Sequence, residues 1–498
     1  MRHSNRPRRT AGAAARVGLA CALIAITGAL VAGCATNPAT GKRQIILVSR
    51  NKELEIGREA DPAVIAEFGL YADDSLQRYV DSVGQRLARV SDLPGLKWHF
   101  RVLDSPVVNA FAIPGGYIYI TRGILAYMNS EAQLAGVLGH EIGHVTARHS
   151  AQQMTNQQLA QVGLILGMVF LEPVRQYGAL AQQGLQILFL KYSRDDETQA
   201  DELGIEYSVK AGYDPREIPA TYATLKRIAE RQGQVLPTFL STHPDPGDRQ
   251  IRTTQLSQAA AASAHRPLEV AATVYRKRTE KLVFGDDPRQ GYFEDSRFYH
   301  PDLAFQLIFP SGWTTRNTPS AVLAASESQG GAMQVTLGTS RDSTLTPAEF
   351  VDSLQIRQEI LGASGRTEQF RDCPAWVGTV LIQTEGGRAE MLAGFVRFRA
   401  GQFLQILGQV KSMGSASEQI YASIRSAAPL RDPAKLNVTA DQLTYRLTQE
   451  SGSFAKVWSG FGPLALGVED GAILNGTRGT AEIPTGATLK VVLKGNHP

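Results

Sequence analysis

Residues 130–149 read Ser-Glu-Ala-Gln-Leu-Ala-Gly-Val-Leu-Gly-His-Glu-Ile-Gly-His-Val-Thr-Ala-Arg-His. Ser130 followed by Gln133 is a capping-box start, and Leu134, Val137, Leu138, Ile142 and Val145 recur at helical spacing, so the stretch is predicted to be an amphipathic helix. On it His140 and His144 stand four residues apart. Side chains at that spacing lie one turn above each other, about 5–6 Å between Cβ atoms, so both imidazoles can point at one ion. Glu141, rotated around the helix, can reach the open coordination position and take a proton from a water there. The pattern His-Glu-x-x-His therefore points to a zinc hydrolase, most often a metalloprotease. A solvated helix carrying two histidines by accident is the alternative for five residues taken alone.

The sequence downstream weighs against that alternative. A catalytic zinc held by two histidines needs a third protein ligand and an open fourth position. Tyr192-Ser-Arg-Asp-Asp-Glu-Thr-Gln-Ala-Asp-Glu-Leu203 supplies one, with Ser193 and Asp196 fitting a second helix start and Glu197 and Asp201 falling on one face. Glu197 is the candidate ligand. Asp201, one turn on, is placed to accept a hydrogen bond from the far nitrogen of a liganding histidine.

Upstream, Glu53 to Phe68 and Leu76 to Val90 have helical periodicity and Trp98 to Leu103 alternates as a strand. Asn109 to Thr121 holds two β-like runs around Pro114-Gly115-Gly116. Tyr117–Thr121 is the candidate free-edge strand, to which an extended substrate would add through main-chain hydrogen bonds. An ordinary buried hairpin strand is the alternative. Leu159–Leu171 and Leu185–Leu190 are apolar, and both are shorter than the roughly 20 residues of a membrane span. They are expected to form a helical hairpin in the core, with a cover over the cleft whose apolar face meets the bilayer or substrate as the alternative.

The first 33 residues read as an export signal: five arginines, an apolar run from Val17 to Ala32, then small residues. Leu30-Val31-Ala32-Gly33-Cys34 looks like a bacterial lipobox, in which Cys34 would be acylated and become the new amino terminus. Ala35 in place of aspartate then implies the periplasmic face of the outer membrane. A plain secretory signal is the alternative. The whole chain carries +4. Residues 1–33 hold five of the 51 basic residues and no acidic ones, so residues 34–498 carry 46 against 47, a net of −1. No basic patch argues for nucleic acid. Beyond Cys34 the remaining cysteine is Cys373, expected to be a small buried apolar side chain.

Four stretches in order carry a resemblance: Pro114-Gly115-Gly116; His140-Glu141-x-x-His144 followed by Arg148-His149; Ser193-Arg194-x-x-Glu197-x-x-x-Asp201; and Thr242-His243-Pro244-Asp245-Pro246-x-x-Arg249. Residues 37–250 resemble the membrane-associated zinc metallopeptidases that include the CAAX prenyl protease and HtpX, and most closely the exported bacterial branch of BepA and LoiP. The resemblance implies one zinc per chain held by His140, His144 and Glu197. It implies Glu141 as general base, with Asp201 and Arg249 placed behind the ligands. It also implies a role for His243, either occupying the water site as a self-inhibiting switch or stabilising the oxyanion. The implied fold is α+β: a mainly helical zincin domain of the gluzincin type with a small β-hairpin edge. The implied substrates are misfolded or misassembled envelope proteins in the periplasm.

That branch continues into 34-residue helical repeats, and no such repeat follows residue 260 here. Instead, 34–265 is expected to be the peptidase domain and 266–292 a linker. An α+β interaction domain is expected over 293–430, with strand-like runs at 305–309, 333–337, 375–382, 394–399 and 403–410. Ile473-Leu474-Asn475-Gly476 and Ile483 to Val492 look like the second half of a LysM-type module in 431–498, which would add peptidoglycan to the expected partners. The first half is not recognisable. A second function stays open, an assembly factor or scaffold whose zinc site is closed by His243.

Overall fold

The computed structural model describes residues 34–167, 191–231, 239, 243, 246–370, 373–384, 387–411 and 414–497. The expected signal segment 1–33 lies outside them. The expected apolar hairpin does too, apart from helical backbone as far as residue 167. A hairpin of β1 (Cys34–Thr36) and β2 (Arg43–Ile45) precedes α1 (Arg50–Phe68) and α2 (Asp74–Ala88). Asp73 caps α2 by accepting from the Ser75 and Leu76 amides, and Leu76, Tyr79, Val80, Val83 and Leu87 bury the face their spacing predicts.

β3 (His99–Leu103), β4 (Ala110–Ile113) and β5 (Tyr117–Thr121) form a sheet in the order β3-β5-β4. This corrects the expectation for Tyr117–Thr121. β5 pairs parallel with β3 on one side and antiparallel with β4 on the other, so both its edges are used. Alternation of apolar residues reports which side chains are buried, not which edges are paired. The strand with an edge open to addition beside the metal helix is β4.

After α3 (Arg122–Tyr127) comes α4 (Glu131–Thr146), the helix that carries His140 and His144. Ser130 Oγ accepts from the Gln133 amide at 3.2 Å, and Gln133 Oε1 accepts from the Asn129 amide at 2.8 Å. The helix stops where Arg148 adopts a left-handed conformation at φ 63°. Its expected amphipathic character gives way to burial on nearly every side, since neighbours pack all round it. α5 (His149–Gly167), α6 (Arg194–Ala211), α7 (Ile218–Arg231), α8 (Pro246–Ala262) and α9 (Ala272–Thr279) complete this part of the chain. α6 crosses α4 at close range because glycines face each other. A Cβ on Gly139 would lie 3.0 Å from the Gly204 carbonyl oxygen, and one on Gly143 would lie 3.1 Å from that of Ala200. That contact is what carries Glu197 and Asp201 onto the two histidines.

Residues 266–292, expected as a linker, hold α9, whose Tyr275 is fully buried and donates to the Leu125 carbonyl at 2.6 Å. Beyond it come β6 (Tyr292–Glu294), β7 (Arg297–His300) and β8 (Phe305–Ile308), and then, among the described residues, seven antiparallel strands of one sheet. Their ranges are β9 (Thr314–Asn317), β10 (Ala321–Ser326), β11 (Gly331–Thr339), β12 (Gly362–Phe370), β13 (Cys373–Thr384), β14 (Gly387–Arg399) and β15 (Gln402–Val410), and they stand in the order β12-β13-β14-β15-β11-β10-β9. α10 (Pro347–Ile356) packs Phe350 and Leu354 against Trp376, Phe395 and Phe403 on one face. α11 (Ser415–Ser426) packs Ile420 and Ile424 against the other, and Cys373 is buried there.

The final segment runs strand, helix, helix, strand: Gln442–Leu447, α12 (Phe454–Ser459), α13 (Val468–Leu474) and Thr488–Leu493, with the two strands paired antiparallel. It does not hang free. Leu443, Ile473, Leu474 and Val492 join the same core as α2 and α4. Lys490, 2% exposed, donates to the carbonyls of Ala126 and Met128 at 2.6 and 2.8 Å. Burial holds its ammonium well below the usual lysine range. Lys490→Met keeps the length of the side chain and strands both carbonyls. It is expected to cost about 2–4 kcal/mol in urea unfolding and to make residues 431–498 sensitive to protease.

No described helix is long and apolar enough to cross a membrane.

Candidate metal centre

One ligand atom each from His140, His144, Glu197 and His243 lies within 4.8 Å of all the others, and all four residues are buried. Nε2 of His140 and Nε2 of His144 are 3.0 Å apart. Glu197 comes within 3.6 Å of the first and 3.5 Å of the second. His243 presents Nδ1 at 3.3 Å from His140 Nε2 and 2.8 Å from Glu197 Oε1. Four donors around a tetrahedral zinc, with bonds of about 2.0–2.1 Å, stand roughly 3.3 Å apart, which these separations match. Without a cation, lone pairs of buried imidazoles would face one another. The donor set fits zinc.

The imidazoles are aimed by what holds their other nitrogens. His140 Nδ1 lies 3.1 Å from Asp201 Oδ1. Asp201 also accepts from Tyr222 at 2.7 Å, from Arg249 at 2.6 and 3.0 Å, and from Arg252 at 2.7 Å. Burial alone would raise its carboxyl. The Arg249 charge and the His140 hydrogen bond bring it far below the usual range. Arg249, 2% exposed, also sets Nη1 2.7 Å from Glu197 Oε2, though poorly aligned for a hydrogen bond, and stacks over the Tyr222 ring at 4.4 Å. Burial would likewise raise Glu197, and the charges of His243 and Arg249 hold it well below its normal value. Burial pushes His140 down to about 3, which keeps its nitrogen bare for an ion. His144 stacks on Tyr192 at 4.0 Å.

Glu141 is fully buried, and neither of its oxygens has a hydrogen-bond partner among the described residues. Its Oε1 lies 3.7 Å from His243 Nε2. Desolvation pushes its carboxyl up to about 7, while the charges of His144 and Arg249 and, least, the Ala112 amide pull the other way. An unpartnered buried carboxylate is costly, and it persists where the site needs a proton acceptor.

The amide of Ala112 belongs to β4. Thr121 donates its amide to the Asn109 carbonyl, so Asn109, Phe111 and Ile113 face β5 while Val108, Ala110 and Ala112 turn theirs to the open edge. At one end of that edge the Phe239 amide donates to the Val108 carbonyl at 3.4 Å. Phe239 stacks on His243 at 4.6 Å.

The structure thus brings together Glu141, His140, His144, Glu197, Asp201, His243 and Arg249. Cys34 sits in β1 at the start of the described chain. Tyr222 escaped the reading of the sequence. Ile218, Tyr222, Leu225 and Ile228 do recur at helical spacing, but nothing in the spacing sets the tyrosine apart from core.

A His-Glu-x-x-His helix, a glutamate from a second helix and, beside them, a buried glutamate with no hydrogen-bond partner among the described residues are the equipment of a metallopeptidase. Residues 74–256 match the model of peptidase family M48. The mitochondrial metalloendopeptidase OMA1 of Schizosaccharomyces pombe is 31% identical over 236 residues, which cover 45% of this chain and 69% of that one. OMA1 of Arabidopsis thaliana is 37% identical over 192 residues, covering 38% and 36%. The beta-barrel assembly-enhancing protease of Yersinia pestis is 29% identical over 263 residues, covering 48% and 53%. The chain therefore spans between about a third and two thirds of the length of these relatives, and it belongs to peptidase family M48.

Proposed function

We propose that the chain is a zinc-dependent endopeptidase of the cell envelope, tethered by lipid on Cys34 to the periplasmic face of the outer membrane. Its substrates are unfolded or misassembled envelope proteins. The observation that carries the catalytic part is Glu141, buried against the cluster of His140, His144 and Glu197 with no hydrogen-bond partner among the described residues. Bound there, zinc would polarise a scissile carbonyl and acidify a water. Glu141 takes the proton from the attacking water and returns it to the leaving amine. Asp201 orients His140, and Arg249 balances the charge of Asp201 and Glu197. The outward amides and carbonyls of Ala110 and Ala112 bind substrate as an added strand, which reads backbone more than side chains. That suits unfolded proteins as a class. The name of the Yersinia pestis relative supports the envelope as the place of action.

The strand-helix-helix-strand order of 442–493 supports a LysM-type reading of the terminal module, with peptidoglycan as its ligand. Residues 293–430 would position client proteins. His243 favours a second reading. With Nδ1 in the cluster it completes four protein donors, which closes a site that catalysis needs open. A closed site fits an assembly factor with little proteolysis. The test is metal content and casein cleavage by the purified protein. One zinc per chain and cleavage lost to a chelator are expected. Zinc without cleavage moves the weight to the assembly factor, and no zinc removes the metal reading.

A further inference from the structure

His149 is absorbed by none of these roles, yet it touches a ligand. Its Nδ1 lies 2.9 Å from Nδ1 of His144, and both rings are buried to 1% exposure. Two identical nitrogens at that distance make a hydrogen bond only if one carries the proton and the other does not. The two choices have opposite consequences for the metal. If His144 Nδ1 donates, its Nε2 is bare and faces the cluster. If His149 Nδ1 donates, the proton of a neutral His144 moves to Nε2 and blocks it.

The far side of His149 makes the choice. Its Nε2 lies 2.9 Å from Gln199 Oε1 and 3.6 Å from Asp196 Oδ1. Both are acceptors, so the His149 proton belongs on Nε2 and its Nδ1 is left to accept. Asp196 is itself fixed, because its other oxygen takes the amide and hydroxyl of Ser193 at 2.9 and 2.8 Å in the capping box of α6. The selection is between tautomers at constant charge. The same turn of α6 thus provides the candidate ligand Glu197 and, two residues on, the acceptor Gln199 that fixes the His149 proton.

We propose that His149 is a positioning residue that holds His144 in its Nδ1–H tautomer for metal, with Gln199 setting the direction of the chain of hydrogen bonds. The proposal rests on the zinc reading of the site. In metal sites the partner on the far nitrogen of a histidine is worth about 10–100-fold in affinity.

The experiment is zinc affinity of the purified protein by competition with a chromophoric chelator, for wild type, His149→Phe, Gln199→Leu and Gln199→Glu. His149→Phe keeps an aromatic ring and removes the acceptor, and about 10–100-fold weaker binding is expected. Gln199 is half-buried, so Gln199→Leu is compatible with folding. It should weaken zinc in the same direction, while Gln199→Glu keeps an acceptor and should bind like wild type. Nitrogen-15 shifts of the apo-protein should show His144 protonated on Nδ1 in wild type and redistributed toward Nε2 in Gln199→Leu. Unchanged affinity in a folded His149→Phe, or in Gln199→Leu if His149→Phe does not fold, would overturn the proposal. Wild-type protein that takes up no zinc would overturn the metal reading and this one with it.

Discussion

Glu141→Gln is expected to lower peptide-bond cleavage about 10³-fold, within the 10²–10⁴ range of general acid–base catalysis, while zinc content stays at the wild-type level. The glutamine keeps the shape of the side chain and loses the ability to take a proton. It touches none of the ligands' other nitrogens, which are held by Asp201 and His149. The variant also has a stability signature. Glu141 is a buried carboxyl with no partner among the described residues, and its upward shift to about 7 shows that the fold works against its charge. A group whose folded pKa is raised above the unfolded value costs stability once pH exceeds the unfolded value, here the ordinary carboxyl value of 4.5. At pH 7.5 the metal-free Glu141→Gln protein should therefore unfold at equal or higher urea than metal-free wild type. Lost cleavage with intact zinc and undiminished stability assigns the glutamate to chemistry. Lost cleavage with lost zinc or a lower unfolding midpoint would instead make it structural.

The ligand set was legible because helical spacing converts directly into proximity: His140 with His144, and Glu197 with Asp201, stand four apart on single helices. The crossing that brings the two pairs together was not, although its residues were in view. Gly139, Gly143, Ala200 and Gly204 recur every four residues, and their meaning depends on which helix lies opposite. The same limit hid the open strand, since the alternation of Tyr117–Thr121 is compatible with any pairing and only the parallel return of β3 makes β5 central. β12 was missed for a different reason. Gly-Ala-Ser-Gly-Arg-Thr-Glu-Gln-Phe is polar and mostly exposed, as an edge strand tolerates, and carries no periodicity to read. In the terminal segment the reading singled out only Ile473–Gly476 and Ile483–Val492, by resemblance. The first half, with Phe454, Val457 and Trp458 packed as a small core, spends its apolar residues on a two-turn helix too short for a periodic signal.

His243→Ala is expected to raise casein cleavage roughly tenfold or more and to weaken zinc. The latch reading rests on Nδ1 lying within the cluster of possible metal donors and Nε2 lying 3.7 Å from the Glu141 carboxylate. On that reading a fourth protein donor and an attacking water would compete for one position, and catalysis would wait on the fraction of molecules in which His243 has left. Each factor of ten in that fraction corresponds to about 1.4 kcal/mol of closing free energy, and deleting the imidazole removes its share. The share is not the whole, because the Phe239 amide still bonds the Val108 carbonyl at the end of the β4 edge. Activation should therefore be larger for short peptides, which need only Ala110 and Ala112, than for long unfolded chains that must also displace Phe239 from Val108. If His243 instead serves the oxyanion, the substitution lowers cleavage of both by about 10²–10³-fold and the ratio between them stays constant. The sign of the change and its dependence on substrate length thus separate a latch on the metal from a member of the catalytic machinery.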